Sequence, residues 1–196
     1  MIPRRRLVAS LIAVAAVILV AIGVRLLVWG GDDHGAPMIG GPFTLVDGDG
    51  RMVTEASFRG RFMLVYFGYS YCPDVCPTTL AQMVAVLDKL PAARRQKVVP
   101  VFITVDPARD TPQVVKDYAA AFDSRLVGLT GSEEQVAAVE KAYKVYAAKV
   151  KGEDPASYTM DHSSIIYLMS PDGRFLAHFA HGVGTEDMAE RIAKLL

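Results

Sequence analysis

The sequence predicts an α/β domain, a sheet with helices on both faces reached through βαβ crossovers, preceded by a single transmembrane helix. Three observations predict it. Phe62–Phe67 (FMLVYF) and Val98–Val105 (VVPVFITV) are apolar runs of strand length, the mark of strands covered on both faces. Each is followed by a stretch whose apolar residues recur at helical spacing. Ahead of them, Leu7–Val24 is an uninterrupted uncharged run of eighteen residues, close to the roughly twenty that a bilayer core requires.

The N-terminus justifies the anchor. Arg4, Arg5 and Arg6 precede the apolar run and Asp32 and Asp33 follow it, so the positive-inside tendency leaves residues 1–6 in the cytoplasm. Arg25 falls one turn before Trp29, where a long side chain can snorkel to the headgroups, and the span extends over 7–29. A cleavable signal would need a shorter apolar region and small residues at its end, where this chain has Arg25, Leu26 and Leu27. No cysteine follows to carry a lipid. Residues 30–41, rich in glycine and polar residues, read as a tether, and His34 within it as solvated.

Residues 42–196 read as the domain. Phe43–Asp47 and Arg51–Thr54 flank Gly48-Asp49-Gly50, a hairpin whose turn residues supply positive φ angles. After the Phe62–Phe67 strand, Thr78–Leu90 repeats apolar residues at helical spacing before Pro91. The Val98–Val105 strand closes on Asp106-Pro107, and Thr111-Pro112 caps a helix to about Phe122. A short strand spans Leu126–Leu129, and Ser132 with Gln135 forms a capping box for a helix to Tyr143. Val145–Val150 and the residues around Tyr158 flank a polar turn, a hairpin or an inserted loop. Ser163–Met169 and Arg174–Phe179 pair around Pro171-Asp172-Gly173, and Thr185–Leu196 is the last helix.

Composition narrows the function. The 196 residues are 52% hydrophobic, enough for one core plus the separate apolar segment. Lys plus Arg equals Asp plus Glu at 21 each, and nothing in that balance points to a nucleic-acid partner. Two cysteines do not make a disulfide scaffold.

Those cysteines, Cys72 and Cys76, lie in YFGYSYCPDVCPTTLAQM (Tyr66–Met83), where strand gives way to helix. Pro73 and Pro77 suit a helix beginning at or just inside the motif, and residues four apart on a helical turn share a face. A structural disulfide closing so short a loop would remove only about 2 kcal/mol of unfolded-state entropy, against about 3 kcal/mol for a fifteen-residue loop. A helix N-terminus also favours thiolate, which is both nucleophile and metal ligand. A redox dithiol and a metal site both remain open.

The strand order, with the cysteines at the first strand-to-helix junction, resembles the thioredoxin fold, with an N-terminal hairpin and inserted elements. In such folds the loop entering the strand near Ser163 faces the cysteine helix, and oxidoreductases of that group carry a cis-proline there. This chain has His162. Together with TVDPARDTP (Thr104–Pro112) and YTMDHSSIIYLMSPDGRF (Tyr158–Phe175), the cysteine motif is similar to the signatures of the SCO/SenC family, membrane-tethered copper proteins involved in building cytochrome c oxidase. The resemblance runs from about residue 37 to the C-terminus. It implies Cys72, Cys76 and His162 as copper ligands, with Asp106 matching an aspartate near the site. Asp161 is a candidate to orient His162. His178 and His181 read as surface residues, and Met160 as packing.

The chemistry of the residues agrees. Two thiolates select soft ions such as Cu(I), imidazole suits copper in either oxidation state, and no further cysteine exists to close a structural zinc site. The resemblance implies a copper chaperone in a bacterial inner membrane, its domain in the periplasm, delivering to the copper A site of cytochrome c oxidase subunit II. Other periplasmic copper chaperones and thiol reductants are its further partners. The other expectation is a thiol-disulfide oxidoreductase, Cys72 attacking and Cys76 resolving, that keeps the subunit II cysteines reduced. A peroxidase finds no specific support.

Overall fold

The computed structural model describes residues 18–20, 39–152 and 158–196. The chain divides into two compact units, Met1–Pro37 and Met38–Leu196. In the first, residues 18–20 are helical and exposed. The cytoplasmic segment, most of the anchor over 7–29 and the tether up to Met38 lie outside the described residues, and among the described residues no helix is long and apolar enough to cross a membrane.

The second unit is built on a seven-stranded sheet in the order β2 (Met52–Thr54), β1 (Thr44–Asp47), β5 (Val127–Thr130), β4 (Val98–Thr104), β3 (Phe62–Gly68), β8 (Ile165–Met169), β9 (Phe175–Ala180). At its centre β3 (Phe62–Gly68) runs parallel to β4 (Val98–Thr104), in register from Phe62 opposite Val98 to Gly68 opposite Thr104. Every residue of β4 is buried, as apolar runs covered on both faces require. β5 (Val127–Thr130) continues the parallel arrangement beside β4, and β8 (Ile165–Met169) with β9 (Phe175–Ala180) adds an antiparallel hairpin beside β3.

The expected N-terminal hairpin is β1 (Thr44–Asp47) paired with β2 (Met52–Thr54). Its turn is held by the Asp47 carboxylate, which accepts from the Asp49 and Arg51 amides at 2.9 Å each. Gly50 supplies φ 74°, a conformation that costs glycine little.

Helix α1 (Val75–Lys89) begins inside the cysteine motif, as its prolines suggest. Pro77 does not postpone it, because a first-turn residue has no intrahelical use for an N–H. A one-turn helix α2 (Ala92–Arg95) follows, too short to leave a periodic signal. In α3 (Pro112–Phe122) the Thr111 hydroxyl accepts from the Val114 amide, and in α4 (Glu133–Tyr143) Ser132 and Gln135 form the anticipated capping box. α5 (Thr185–Leu195) packs on α1.

Neighbouring β3 side chains point to opposite faces. Tyr66 reaches Cys76 of α1, while Phe67 meets the Tyr143 ring of α4 at 5.2 Å, so helices do cover both faces. Among the described residues, the strands outside the main sheet form a separate two-stranded hairpin, β6 (Ala147–Lys151) with β7 (Tyr158–His162). This insertion is a hairpin rather than a loop, and its last pair, Ala147 opposite His162, carries the histidine. His162 is therefore a strand residue, and the main-sheet strand starts at Ile165 rather than Ser163.

Candidate metal centre

The centre forms beyond the carboxyl end of β3, where parallel sheets collect their chemistry. β3 ends at Gly68, whose carbonyl accepts from Val105 N–H at 2.8 Å. A Cβ there would lie 2.8 Å from Cys76 Sγ and 2.9 Å from the Tyr66 ring, so only glycine lets the thiol sit against the strand. The chain then turns through Tyr69 and Ser70. Asp110, fully buried, holds this turn by accepting from Ser70 N–H at 3.0 Å and from the Ser70 and Thr104 hydroxyls.

Cys72 lies outside α1 and Cys76 lies in its first turn, so the two do not share a helical face as the spacing suggests. Their sulfurs still converge. The Asp74 side chain makes no capping bond, and Cys72 Sγ itself accepts from the Cys76 amide at 3.4 Å, taking one of the helix's unpaired N–H groups. Cys72 is half-buried and Cys76 is buried, and both are free thiols.

The imidazole arrives from the hairpin. His162 Nε2 is 3.4 Å from Cys76 Sγ, and Nδ1 faces the Ser163 carbonyl at 3.2 Å. A proton on Nδ1 donates to that carbonyl and turns the Nε2 lone pair toward the thiols, the usual way in which a ligating histidine is oriented. The rings of Tyr69 and Tyr66 stand edge-on to the imidazole at 5.8 and 6.2 Å. Burial holds the His162 pKa below its ordinary value, which keeps the ring neutral.

Burial also pushes the Cys76 thiol up to about 12, with Cys72 adding to the effect while the Tyr69 backbone and the Tyr66 hydroxyl, 3.7 Å away, oppose it. The expectation that the helix N-terminus would favour thiolate thus fails at Cys76. At this fully buried sulfur, loss of water outweighs both the first-turn position and the donors that reach it. Without a metal Cys76 is a thiol that donates to His162 Nε2.

The ligand atoms of Cys72, Cys76 and His162 all lie within 4.8 Å of one another, the one such cluster among the described residues. Two sulfurs and a neutral imidazole nitrogen fit a soft or borderline ion, and three donors leave a coordination position open.

The remaining candidates separate clearly. Asp106, 1% exposed, pairs with the Arg109 guanidinium and accepts from the Tyr158 hydroxyl at 2.9 and 3.1 Å, so it borders the centre without joining the donor cluster. Asp161 alternates to the exposed side of β7, away from His162, and among the described residues no hydrogen bond links the two. The Ser163 carbonyl orients the ring instead. Met160 packs against the core, His178 stacks on Phe175 at the exposed surface of β9, and His34 falls outside the described residues. Gly68, Asp110, Arg109 and Tyr158 were not foreseen as parts of the site. Asp110 and Arg109 had one visible trace, their position in TVDPARDTP beside Asp106.

The SCO1/SenC family model matches residues 31–196. The chain is 41% identical over 164 residues to the mitochondrial protein SCO1 homolog 1 of Arabidopsis thaliana, covering 84% of this chain and 49% of that relative. It thus spans about half the length of that curated relative. Copper-bound ScoI from Bradyrhizobium japonicum superimposes with a TM-score of 0.73 at 45% identity, covering 81% of this chain and 99% of that one. Copper-bound ScoI from Arabidopsis thaliana gives 0.75 at 41% identity, over 80% and 96%. BsSco, described as a member of the Sco family of cytochrome c oxidase assembly proteins with a disulfide switch, gives 0.61 at 27% identity, over 81% and 93%. By the match over 31–196 and by identity to these relatives, the chain belongs to the SCO1/SenC family.

Proposed function

We propose that this chain is a membrane-tethered copper chaperone. Cys72, Cys76 and His162 take up copper and pass it to the copper A site of cytochrome c oxidase subunit II as the oxidase is assembled. The observation that carries this reading is the approach of two sulfurs and one imidazole nitrogen to within 4.8 Å of one another. The copper bound by the Arabidopsis and Bradyrhizobium relatives supports it, as does the oxidase-assembly role of the family to which BsSco belongs. Residues 7–29 anchor the chain in a bacterial inner membrane, residues 1–6 stay in the cytoplasm, and the tether carries domain 42–196 into the periplasm. Other periplasmic copper chaperones serve as donors, and thiol reductants keep the pair competent.

The residues divide the work. Cys72 and Cys76 must be reduced and give up their protons on loading, so uptake of copper releases protons. His162 contributes Nε2, held by the Nδ1 bond to Ser163. The open position admits an acceptor's ligand, and the half-buried Cys72 is the donor that it can displace first.

The burial difference between the sulfurs also favours a second reading, thiol-disulfide oxidoreductase. The Cys72 thiolate attacks a partner disulfide, forming a mixed disulfide and expelling one partner thiolate. Cys76, its proton passed to His162 Nε2 at 3.4 Å, then attacks Cys72 Sγ. The second partner thiol leaves, and two electrons have moved from the Cys72–Cys76 pair to the partner.

Anaerobic copper titration of residues 38–196, the unit that contains the whole described core, tests the first reading. One copper per chain is expected, with a changed spectrum and clearly weaker binding for His162→Ala, which loses one of three donors. Absence of binding by the wild type, or an unchanged variant, rules out the three-donor site. Transfer to copper-free subunit II is then read from the copper A absorption of the acceptor. Turnover of a disulfide substrate, with no such transfer, selects the second reading.

A further inference from the structure

We propose that Arg109, Asp106 and Tyr158 form a clamp that positions His162, fixing the far end of the strand that carries it. This inference rests on the three-donor reading and adds positioning residues to it.

The hairpin β6–β7 is not part of the main sheet, so its register does not by itself place His162 against the cysteines. At the His162 end, the Ser163 amide donates to the Tyr146 carbonyl and the Tyr146 amide to Ser163 Oγ, both at 3.0 Å. These bonds close the hairpin's own stem, and Ala147 and Met160 pack its near half against the core, which leaves the Tyr158 end to be fixed separately. At the other end is Tyr158, four residues of extended chain from His162, about 13 Å along the strand.

Tyr158 is held at three points. Its hydroxyl donates to both Asp106 oxygens, its carbonyl accepts from Arg109 Nη1 at 3.0 Å, and its ring lies 3.7 Å below the Arg109 guanidinium carbon. Arg109 Nε closes the triangle on Asp106. The fork geometry of a guanidinium lets one side chain bind a carboxylate and a carbonyl at once, which an ammonium cannot do in the same plane. Arg109 Nη2 is buried without a hydrogen-bond partner among the described residues, as expected for a cation held largely by aromatic faces, here Tyr158, Tyr71 at 4.8 Å and Tyr69 at 5.6 Å.

The clamp is fastened to the part of the fold that places the cysteines. The Asp106 amide donates to Thr104 Oγ1 at 2.9 Å, and the Thr104 hydroxyl donates at 2.6 Å to Asp110, the residue that holds Ser70 just ahead of Cys72. Tyr69, its ring centroid 5.6 Å from the guanidinium carbon, stands nearly perpendicular to the His162 ring at 5.8 Å. One polar network therefore references both the cysteine turn and the histidine strand to the end of β4.

The test uses the full chain with Arg109→Gln and Tyr158→Phe. The second variant keeps the ring under the guanidinium and removes only the hydroxyl, so it carries the experiment if the first fails to fold. On the metal-free protein, amide exchange in 147–151 and 158–162 is expected to quicken about tenfold while β3 and β4 keep wild-type protection, and the His162 imidazole resonances are expected to shift. Copper binding is expected to weaken about tenfold with an altered spectrum. Hairpin exchange within about twofold of wild type, or equal acceleration across the main sheet, overturns the clamp. Because exchange and imidazole shifts are read without copper, a wild type that binds no copper would sink the proposed function and leave this test standing.

Discussion

At the scale of single residues, the centre is decided by what fits beside Cys76. The sulfur occupies the space that a side chain at position 68 would fill, with Tyr66 and Phe102 closing the same pocket. Gly68→Ala places a methyl 2.8 Å from the sulfur, 2.9 Å from Tyr66 and 3.3 Å from Phe102, so the thiol must move. Overpacking of this kind costs about 1–3 kcal/mol. The variant is expected to unfold at lower denaturant and to bind copper more weakly than the wild type, measured on the same preparation. Wild-type copper affinity in a normally folded variant would show that the sulfur need not rest against the strand. The sequence displays the glycine but not its reason. A glycine after an apolar run reads as a strand end, and the close approach behind it depends on how the first turn of α1 sets Cys76 against the strand.

Elements fared differently according to how local their signals are. Capping at Ser132 and Thr111 involves neighbours in sequence and was legible residue by residue. So were the buried runs that became β3 and β4. The β6–β7 hairpin was only half legible, because its pairing of Ala147 with His162 links residues whose alternation is weak and partly exposed. An electrostatic feature of α4 was also hidden. Glu140 is half-buried, and burial alone pushes its carboxyl up to about 7 from an ordinary value of 4.5. The folded chain thus holds that proton longer than the unfolded chain. Stability from this residue is fully present below the unfolded value and is lost as pH rises toward 7, since the unfolded state then binds fewer protons than the native one. Melting temperature of the wild type is expected to fall between about pH 5 and about pH 8 relative to Glu140→Gln, whose profile is flatter across that window. Parallel profiles would mean that Glu140 reaches water in the folded state.

For the whole molecule, donors 86 residues apart in the chain converge on one centre. The cysteines were legible because their chemistry, spacing and strand-to-helix position coincide locally. His162 was legible only through the resemblance, since a lone histidine on a half-exposed strand gives no signal of what it faces. The roles of Arg109 and Tyr158 were hidden for the same reason: their contacts with each other and with Asp106 exist only after β4 and the hairpin are brought together. Such an arrangement ties metal affinity to folding, because the three donors converge only in the native state. A ligand that binds the native state alone stabilises it by about 2.7 kcal/mol at a free concentration 100 times its dissociation constant. For a domain of this size each kcal/mol raises the melting temperature by about 2–4 °C, so copper at that concentration is expected to raise it by roughly 5–11 °C. A chelator should reverse the shift, and His162→Ala should lose most of it at the same copper concentration. A shift of equal size in that variant would mean that the thiols bind copper without the histidine, and that convergence of the two distant segments is not what the metal reads.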